Sequence, residues 1–181
     1  MKRPGTALLV VAVAALSALA GYWMQHRLRS DDVPAVTAEQ GAPILALTLP
    51  DTDNRPQALG QWRGKVLVVN FWATWCPPCL RELPEFSEVA RRHADQPVQF
   101  VGISIDRIEN VRHFVSNTQI PYPLLIGSPE IVNLTVPLGN TARALPFTAI
   151  LDQGGALRFV KLGTLNADEL AGKIRALLDR P

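Results

Sequence analysis

Cysteine is nearly absent from this 181-residue chain, which has two, Cys76 and Cys79. Two thiols cannot build the multi-bridge framework of a small secreted fold. Histidine is as sparse, at His26, His93 and His113, scattered and unpaired, so a zinc site has no set of about four ligands to draw on. Residue 80 is leucine, where a c-type haem attachment needs histidine directly after the second cysteine. No cysteine stands directly after the N-terminal apolar run, which excludes lipoprotein attachment. Neither charge dominates: the net charge is +2, and there is no electrostatic case for nucleic acid. Gly127 and Gly139 lack the spacing and helix context of a phosphate loop. No cofactor and no metal is expected.

What is present is concentrated in Val66–Glu85. Val66 to Trp72 is an apolar, β-branched run of the kind that forms a buried strand. Cys76 and Cys79 follow, three apart, where a helix should start, and Leu83, Phe86, Val89 and Ala90 then recur at helical spacing. A cysteine at a helix N-terminus meets unpaired backbone N–H groups and the positive end of the dipole, and both favour thiolate over thiol. A second cysteine three residues on lies about one turn along the same face, within reach of a disulfide. Cys76, nearer the terminus and more exposed, is expected to be the nucleophile, and Cys79, one turn inside, the resolving thiol. A purely structural disulfide is disfavoured, because so short a loop constrains the unfolded chain least.

Phe71-Trp72-Ala73-Thr74-Trp75-Cys76-Pro77-Pro78-Cys79 resembles the active site of the thioredoxin superfamily, and Pro84, five residues past the second cysteine, matches the proline that kinks the same helix there. Asn70 departs from thioredoxin itself, which has a buried aspartate at that position. With this departure the stretch resembles the membrane-anchored TlpA/ResA branch of bacterial envelope thioredoxins. The resemblance runs from about Gly41 to the C-terminus. It implies an α/β, thioredoxin-like fold: a central mixed sheet flanked by helices, with an N-terminal β-hairpin and a central strand–helix insertion. It also implies a cis-proline ahead of a late strand, packed against the cysteine pair, and Pro146, with Leu145 before it, matches that position. The partners it implies are disulfide-bearing envelope proteins of the cytochrome c maturation or copper-site assembly type, and upstream a membrane electron donor such as a transmembrane thiol reductase. A monomer that binds no nucleic acid is expected.

Lys2 and Arg3 precede an uncharged apolar run from Gly5 to Met24. Such a length of helix spans about 30 Å, the thickness of a bilayer core, and Tyr22 and Trp23 would sit at the far interface. The pattern predicts an inner-membrane anchor over residues 1–29, a polar linker over 30–40 and a periplasmic domain over 41–181. The competing reading is a signal peptide cleaved after Ala20, since Ala18-Leu19-Ala20 fits the small-residue cleavage pattern, leaving a soluble periplasmic domain. Under both readings the cysteines face an oxidising compartment.

Elsewhere the elements follow from pattern. Ile44–Leu49 predicts a strand ending at the turn residues Pro50 to Asn54, with Gln57–Leu59 and Trp62 returning as the second arm of a hairpin. Val98–Ile105 predicts a central parallel strand, joined to Val66–Trp72 by a right-handed helical crossover and followed by Asp106. Val111, Phe114 and Val115 mark the next helix. Pro121, Pro123, Pro129 and Pro137 break the following stretch into a short strand, Leu124–Ile126, and a short helix, Glu130–Val136. Leu145–Asp152, a Gln153-Gly154-Gly155 turn and Ala156–Leu162 predict a hairpin. A final helix is capped by Asn166 and carries Leu170, Ile174, Leu177 and Leu178 as its apolar stripe.

The dithiol supports several uses. A thiol–disulfide reductase would attack a partner disulfide with Cys76 and resolve the mixed disulfide with Cys79, whereas an oxidant or isomerase runs the same thiols in reverse. Pro77 and Pro78 favour the first. Proline has no N–H to donate to the Cys76 sulfur, which must rely on the amides of Cys79 and Leu80. Trp75, Pro77 and Pro78 are the candidate tuners of the pair, and the main chain beside Leu145 and Pro146 is the candidate partner site. A thiol peroxidase is disfavoured: it places threonine three before its cysteine, and Thr74 is two before Cys76. Non-enzymatic, metallochaperone-like holding of partner proteins is a further alternative. Resolution also needs a base for a buried Cys79, and the amide of Asn70 takes no proton at neutral pH. Two carboxylates are candidates. Asp106 follows a strand at the sheet edge where α/β chemistry collects; Glu82 is a helical neighbour of Cys79 that the Pro84 kink is expected to turn toward solvent. Asp106 is the first choice.

Overall fold

The computed structural model describes residues 38–179 and Ser17. The apolar run read as an anchor or a signal, Ser17 aside, and linker residues 30–37 lie outside the described residues. Among the described residues no helix is long and apolar enough to cross a membrane. The elements that follow belong to the compact unit Pro34–Pro181.

A 3-10 turn, Ala38–Gly41, leads into a helical turn, α1, Ala42–Leu45. A small antiparallel hairpin comes next, β1 Thr48–Pro50 and β2 Pro56–Ala58, with Leu49 opposite Gln57. The hairpin is shorter than the sequence pattern predicts, and Ile44–Leu49 is not one strand. Pro43 lies at the start of α1 with its φ already near the helical value, and it turns Ile44 and Leu45 into a buried helical step. Leu59–Trp62 likewise forms a 3-10 turn, with Leu59 buried, in place of the end of a strand. The Asp51 carboxylate closes the hairpin by accepting from the N–H groups of Asp53 and Arg55, each at 2.9 Å. Asp51 also bridges to Leu125 and so seats the hairpin on the edge of the main sheet.

Five strands make that sheet: β3 Val66–Trp72, β4 Val98–Ser104, β5 Leu124–Ile126, β6 Phe147–Leu151 and β7 Leu157–Leu162. Their spatial order is β5-β4-β3-β6-β7. β4 lies parallel to β3 and β5 parallel to β4, while β6 is antiparallel to β3 and β7 to β6, so the sheet is mixed. Helix α2, Pro77–Arg92, makes the crossover from β3 to β4, and α3, Ile108–Asn117, the one from β4 to β5. Helix α4, Ala167–Leu178, closes the fold, and the side chain of Asn166 accepts from the N–H of Glu169 at its start.

The strand at the centre is buried on both faces, which is why its sequence is a continuous apolar run. Val66, Val68 and Trp72 enter one core with Leu83, Phe86 and Val89 of α2 and Leu170 and Ile174 of α4. Leu67, Val69 and Phe71 enter the other, against Ile44, Leu59 and Leu138. The alternation puts Asn70 on the α2 side, so a polar group is carried into the apolar layer beneath the active-site helix. Pro129–Leu138 is a ten-residue 3-10 helix, longer than the short helix expected there. It ends at Gly139, whose φ of 99° is a left-handed value that favours glycine.

Candidate active site

Cys76 is not inside the helix but is its N-cap, and Pro77 and Pro78 fill the first turn, where missing N–H groups cost no intrahelical bond. The sulfur of Cys76 accepts from the N–H of Cys79 at 3.3 Å. The N–H of Leu80, which the sequence reading also assigns to the sulfur, instead donates to the carbonyl oxygen of Cys76 at 3.1 Å. A helix carries its fourth N–H back to the cap carbonyl, so that donor is already used. Among the first-turn amides the sulfur therefore has one donor. The two cysteines are joined as a disulfide with their Cα atoms 5.3 Å apart. Cys79 is fully buried and Cys76 is 4% exposed, whereas the neighbouring Trp75 is 63% exposed. An approaching molecule meets the indole first.

Leu145 and Pro146 reach the same end of the sheet. β6 begins at Phe147, which pairs with Phe71 of β3, so the two residues before it lie beyond Phe71, level with the start of the cysteine loop. The Leu145–Pro146 peptide is cis, and the carbonyl of Pro146 accepts from the N–H of Gly163 at 2.9 Å. Leu145 is half-buried against the core that holds both cysteines.

Asp106, the first-choice proton acceptor of the sequence reading, is committed elsewhere. One carboxylate oxygen accepts from the hydroxyl of Thr74. The other accepts from the N–H of Arg107 at 2.7 Å and from Nδ2 of Asn110 at 2.8 Å. Burial pushes this carboxyl up, but the hydrogen bonds from Thr74, Asn110 and Arg107 outweigh it and hold the group below the usual carboxylate range. Its visible work is to tie the loop that carries Trp75 and Cys76 to the start of α3.

Glu82 lies the other way from expectation. It is not turned to solvent but is 2% exposed, because Cys79, Glu82, Leu83 and Phe86 share one stripe of α2 and Pro84 does not rotate that stripe away from the sheet. Nδ2 of Asn70 donates to its Oε1 at 2.7 Å, and the N–H of Leu165 donates to its Oε2 at 3.2 Å. Nδ2 of Asn70 also donates to the hydroxyl of Thr148 at 3.2 Å. Burial pushes the Glu82 carboxyl up, the bonds from Asn70 and Leu165 oppose this, and the charge of Glu85 adds to it, leaving the group at about 7. A carboxyl titrating near neutrality, one helical turn from the buried Cys79, can take and return a proton at working pH. Burial and the nearby Glu82 charge also push the phenol of Tyr122 up.

Sequence reasoning missed Thr148, the amide of Leu165 and Glu85. A signal for Glu82 was available: it is a lone charge on an apolar stripe of spacing three and four. Thr148 and Leu165 come from β6 and from the turn after β7, and no local pattern ties them to residue 82.

A family model described as Redoxin matches residues 30–174. The thiol-disulfide oxidoreductase ResA of Geobacillus thermodenitrificans is 27% identical over 173 residues, covering 95% of this chain and 93% of that one. Among solved structures, a thiol:disulfide interchange protein of the thioredoxin family from Chlorobium tepidum superposes with a TM-score of 0.66 at 26% identity, covering 73% of this chain and 92% of that one. A thioredoxin-related protein from Neisseria meningitidis serogroup B superposes with a TM-score of 0.65 at 31% identity, covering 73% of this chain and 99% of that one.

Proposed function

Because the chain belongs to the Redoxin family, we propose that its Cys76–Cys79 pair reduces disulfides in partner proteins of the bacterial envelope. The protein is a thiol–disulfide oxidoreductase with a thioredoxin-like fold. The direction of electron flow rests on one observation: the Cys76 sulfur receives a single first-turn N–H, from Cys79. A thiolate with few donors is weakly stabilised, and a weakly stabilised thiolate makes a reducing couple.

The Cys76 thiolate attacks one sulfur of a partner disulfide, and the partner's other sulfur leaves as a thiolate. Glu82 takes the proton of the Cys79 thiol. The Cys79 thiolate then attacks the Cys76 sulfur, the partner's second thiolate leaves, and the Cys76–Cys79 disulfide closes. Trp75 meets the partner, while Pro77 and Pro78 keep the sulfur poor in donors. The main chain at Leu145, just ahead of the cis-proline Pro146, offers a place for an extended partner segment. An upstream membrane thiol donor would return the pair to its reduced form. Partners of the cytochrome c maturation or copper-site assembly type fit this chemistry, with the domain held at the periplasmic face by the N-terminal run. Membrane fractionation of the full-length protein tests that placement, and a soluble product beginning at Gly21 would overturn it.

A redox titration tests the direction. The couple is expected nearer about −270 mV, the value of a thioredoxin, than about −120 mV, that of a strong oxidant. A potential above roughly −180 mV would reverse the assignment.

A further inference from the structure

During resolution the sulfur of Cys76 is bonded to the partner and Cys79 is fully buried, so a proton leaving Cys79 has no direct path to solvent. Glu82 lies on the floor of a cleft of about 280 Å³ between α2 and the turn from β7 to α4, lined by Arg81, Glu82, Glu85, Thr164, Leu165 and Asn166. Its Oε2 is held by the N–H of Leu165, in the cleft wall, and its Oε1 by Asn70 on the sheet side. Glu85, one turn further on, is fixed in the same cleft because its Oε2 accepts from the N–H of Ala167 at 2.5 Å. At 1.5 Å of rise per residue, Glu85 stands roughly 13 Å along the helix from Cys76. A segment docked at Cys76 does not reach it.

We propose that this cleft is the proton exit of the resolving step, with Glu85 as the positioning residue whose like charge is held in the same cleft as Glu82. The inference rests on the reading that Glu82 accepts the Cys79 proton. The Cys79 S–H proton passes to the Glu82 carboxylate, and the carboxylic acid then gives it to solvent water in the cleft, leaving Glu82 ionised for the next cycle. Electrons cross at the Trp75 face and protons at the rear. The charged and titratable groups near Glu82 are Arg81 and Glu85 of α2, Cys79 itself, and Tyr122 ahead of β5. The side chains that face it from β3, β6 and the β7–α4 turn, Asn70, Thr148, Thr164, Leu165 and Asn166, carry no charge. The one like charge in the cleft is Glu85, and a like charge raises the proton affinity of its neighbour.

The test is the stopped-flow reaction of the reduced full-length protein with the aryl disulfide of thionitrobenzoate, followed across pH. The first thionitrobenzoate released reports attack by Cys76, and the second reports resolution by Cys79. Thr164→Trp, which fills the cleft, is expected to slow the second release by roughly tenfold and leave the first unchanged, whereas Thr164→Val, which leaves it open, should keep the wild-type rate. Glu85→Gln keeps an acceptor for Ala167 and removes the charge, so the pH midpoint of the second release should move to lower pH. A Thr164→Trp rate equal to wild type overturns the exit, and an unmoved Glu85→Gln midpoint overturns the role of Glu85. Glu82→Gln is measured alongside. If it leaves the profile of the second release unchanged, the assignment of Glu82 as acceptor falls; if it moves the profile while the cleft variants do not, only the exit falls.

Discussion

Cys79→Ser is expected to stop turnover while leaving the first attack intact. A serine hydroxyl at that position stays protonated at any working pH and cannot displace the partner from Cys76, so loss of steady-state reduction on the order of 10³-fold or more follows. The fold should survive, because the change is small and the N–H that reaches the Cys76 sulfur belongs to the backbone. What accumulates is the protein joined to its partner, visible as a mass adduct that a reductant releases. Retained turnover would mean that an outside thiol resolves the intermediate, and it would remove the second cysteine from the mechanism. The same variant names the partner, since the adduct formed in cells can be isolated and identified.

Glu82→Gln should change how stability depends on pH. The carboxyl sits near 4.5 in the unfolded chain and at about 7 in the fold. A group raised in this way favours the folded state fully below the lower value, and that contribution is lost as pH rises through the upper one. Holding the ionised form in its buried place therefore costs about 3 kcal/mol at high pH. Between pH 5 and pH 8 the wild type should lose about 2–3 kcal/mol that the variant does not, measured as the difference between their denaturant unfolding curves at the two pH values. A variant whose stability tracks the wild type across that window would show that Glu82 is not the group carrying the proton. At pH 8 the glutamine variant, which has no charge to bury, is expected to be the more stable of the two, with Asn70 turned so that its Oδ1 accepts from the new amide.

The strand, the cysteine pair and the helix after it could be read from the chain because each rests on contacts close in sequence. Val66–Trp72 is a continuous apolar run, and Leu83, Phe86 and Val89 repeat at helical spacing into the same core. The turn at Asp152–Gly155 and the Asn166 cap are local in the same way. Ile44–Leu49 misleads because a β-rich composition says nothing about Pro43, which sets the start of a helical turn. The surroundings of the two acids were not legible for a related reason. Whether a carboxylate is free depends on its donors, and those of Asp106 include Thr74, 32 residues away, just as Glu82 depends on Leu165, 83 residues away. The pairing of distant segments decides which donors each carboxylate holds and how deeply each is buried.

One feature of the site ties its chemistry to the heat resistance of the whole molecule. The sulfur of Cys76 accepts the bond that starts α2, so the atom exchanging electrons is also an anchor of the fold. Unfolding and reduction then form a closed thermodynamic cycle. Whatever free energy the fold contributes to the couple, relative to the same two cysteines in an unfolded chain, must reappear as a difference in melting between the oxidised and reduced proteins, at about 1.4 kcal/mol for each 30 mV. If the folded couple is the more reducing of the two, the oxidised protein is the sturdier one, and each catalytic cycle carries the domain from its looser form to its tighter one. In that case the step that releases the partner also raises the free energy needed to unfold the domain.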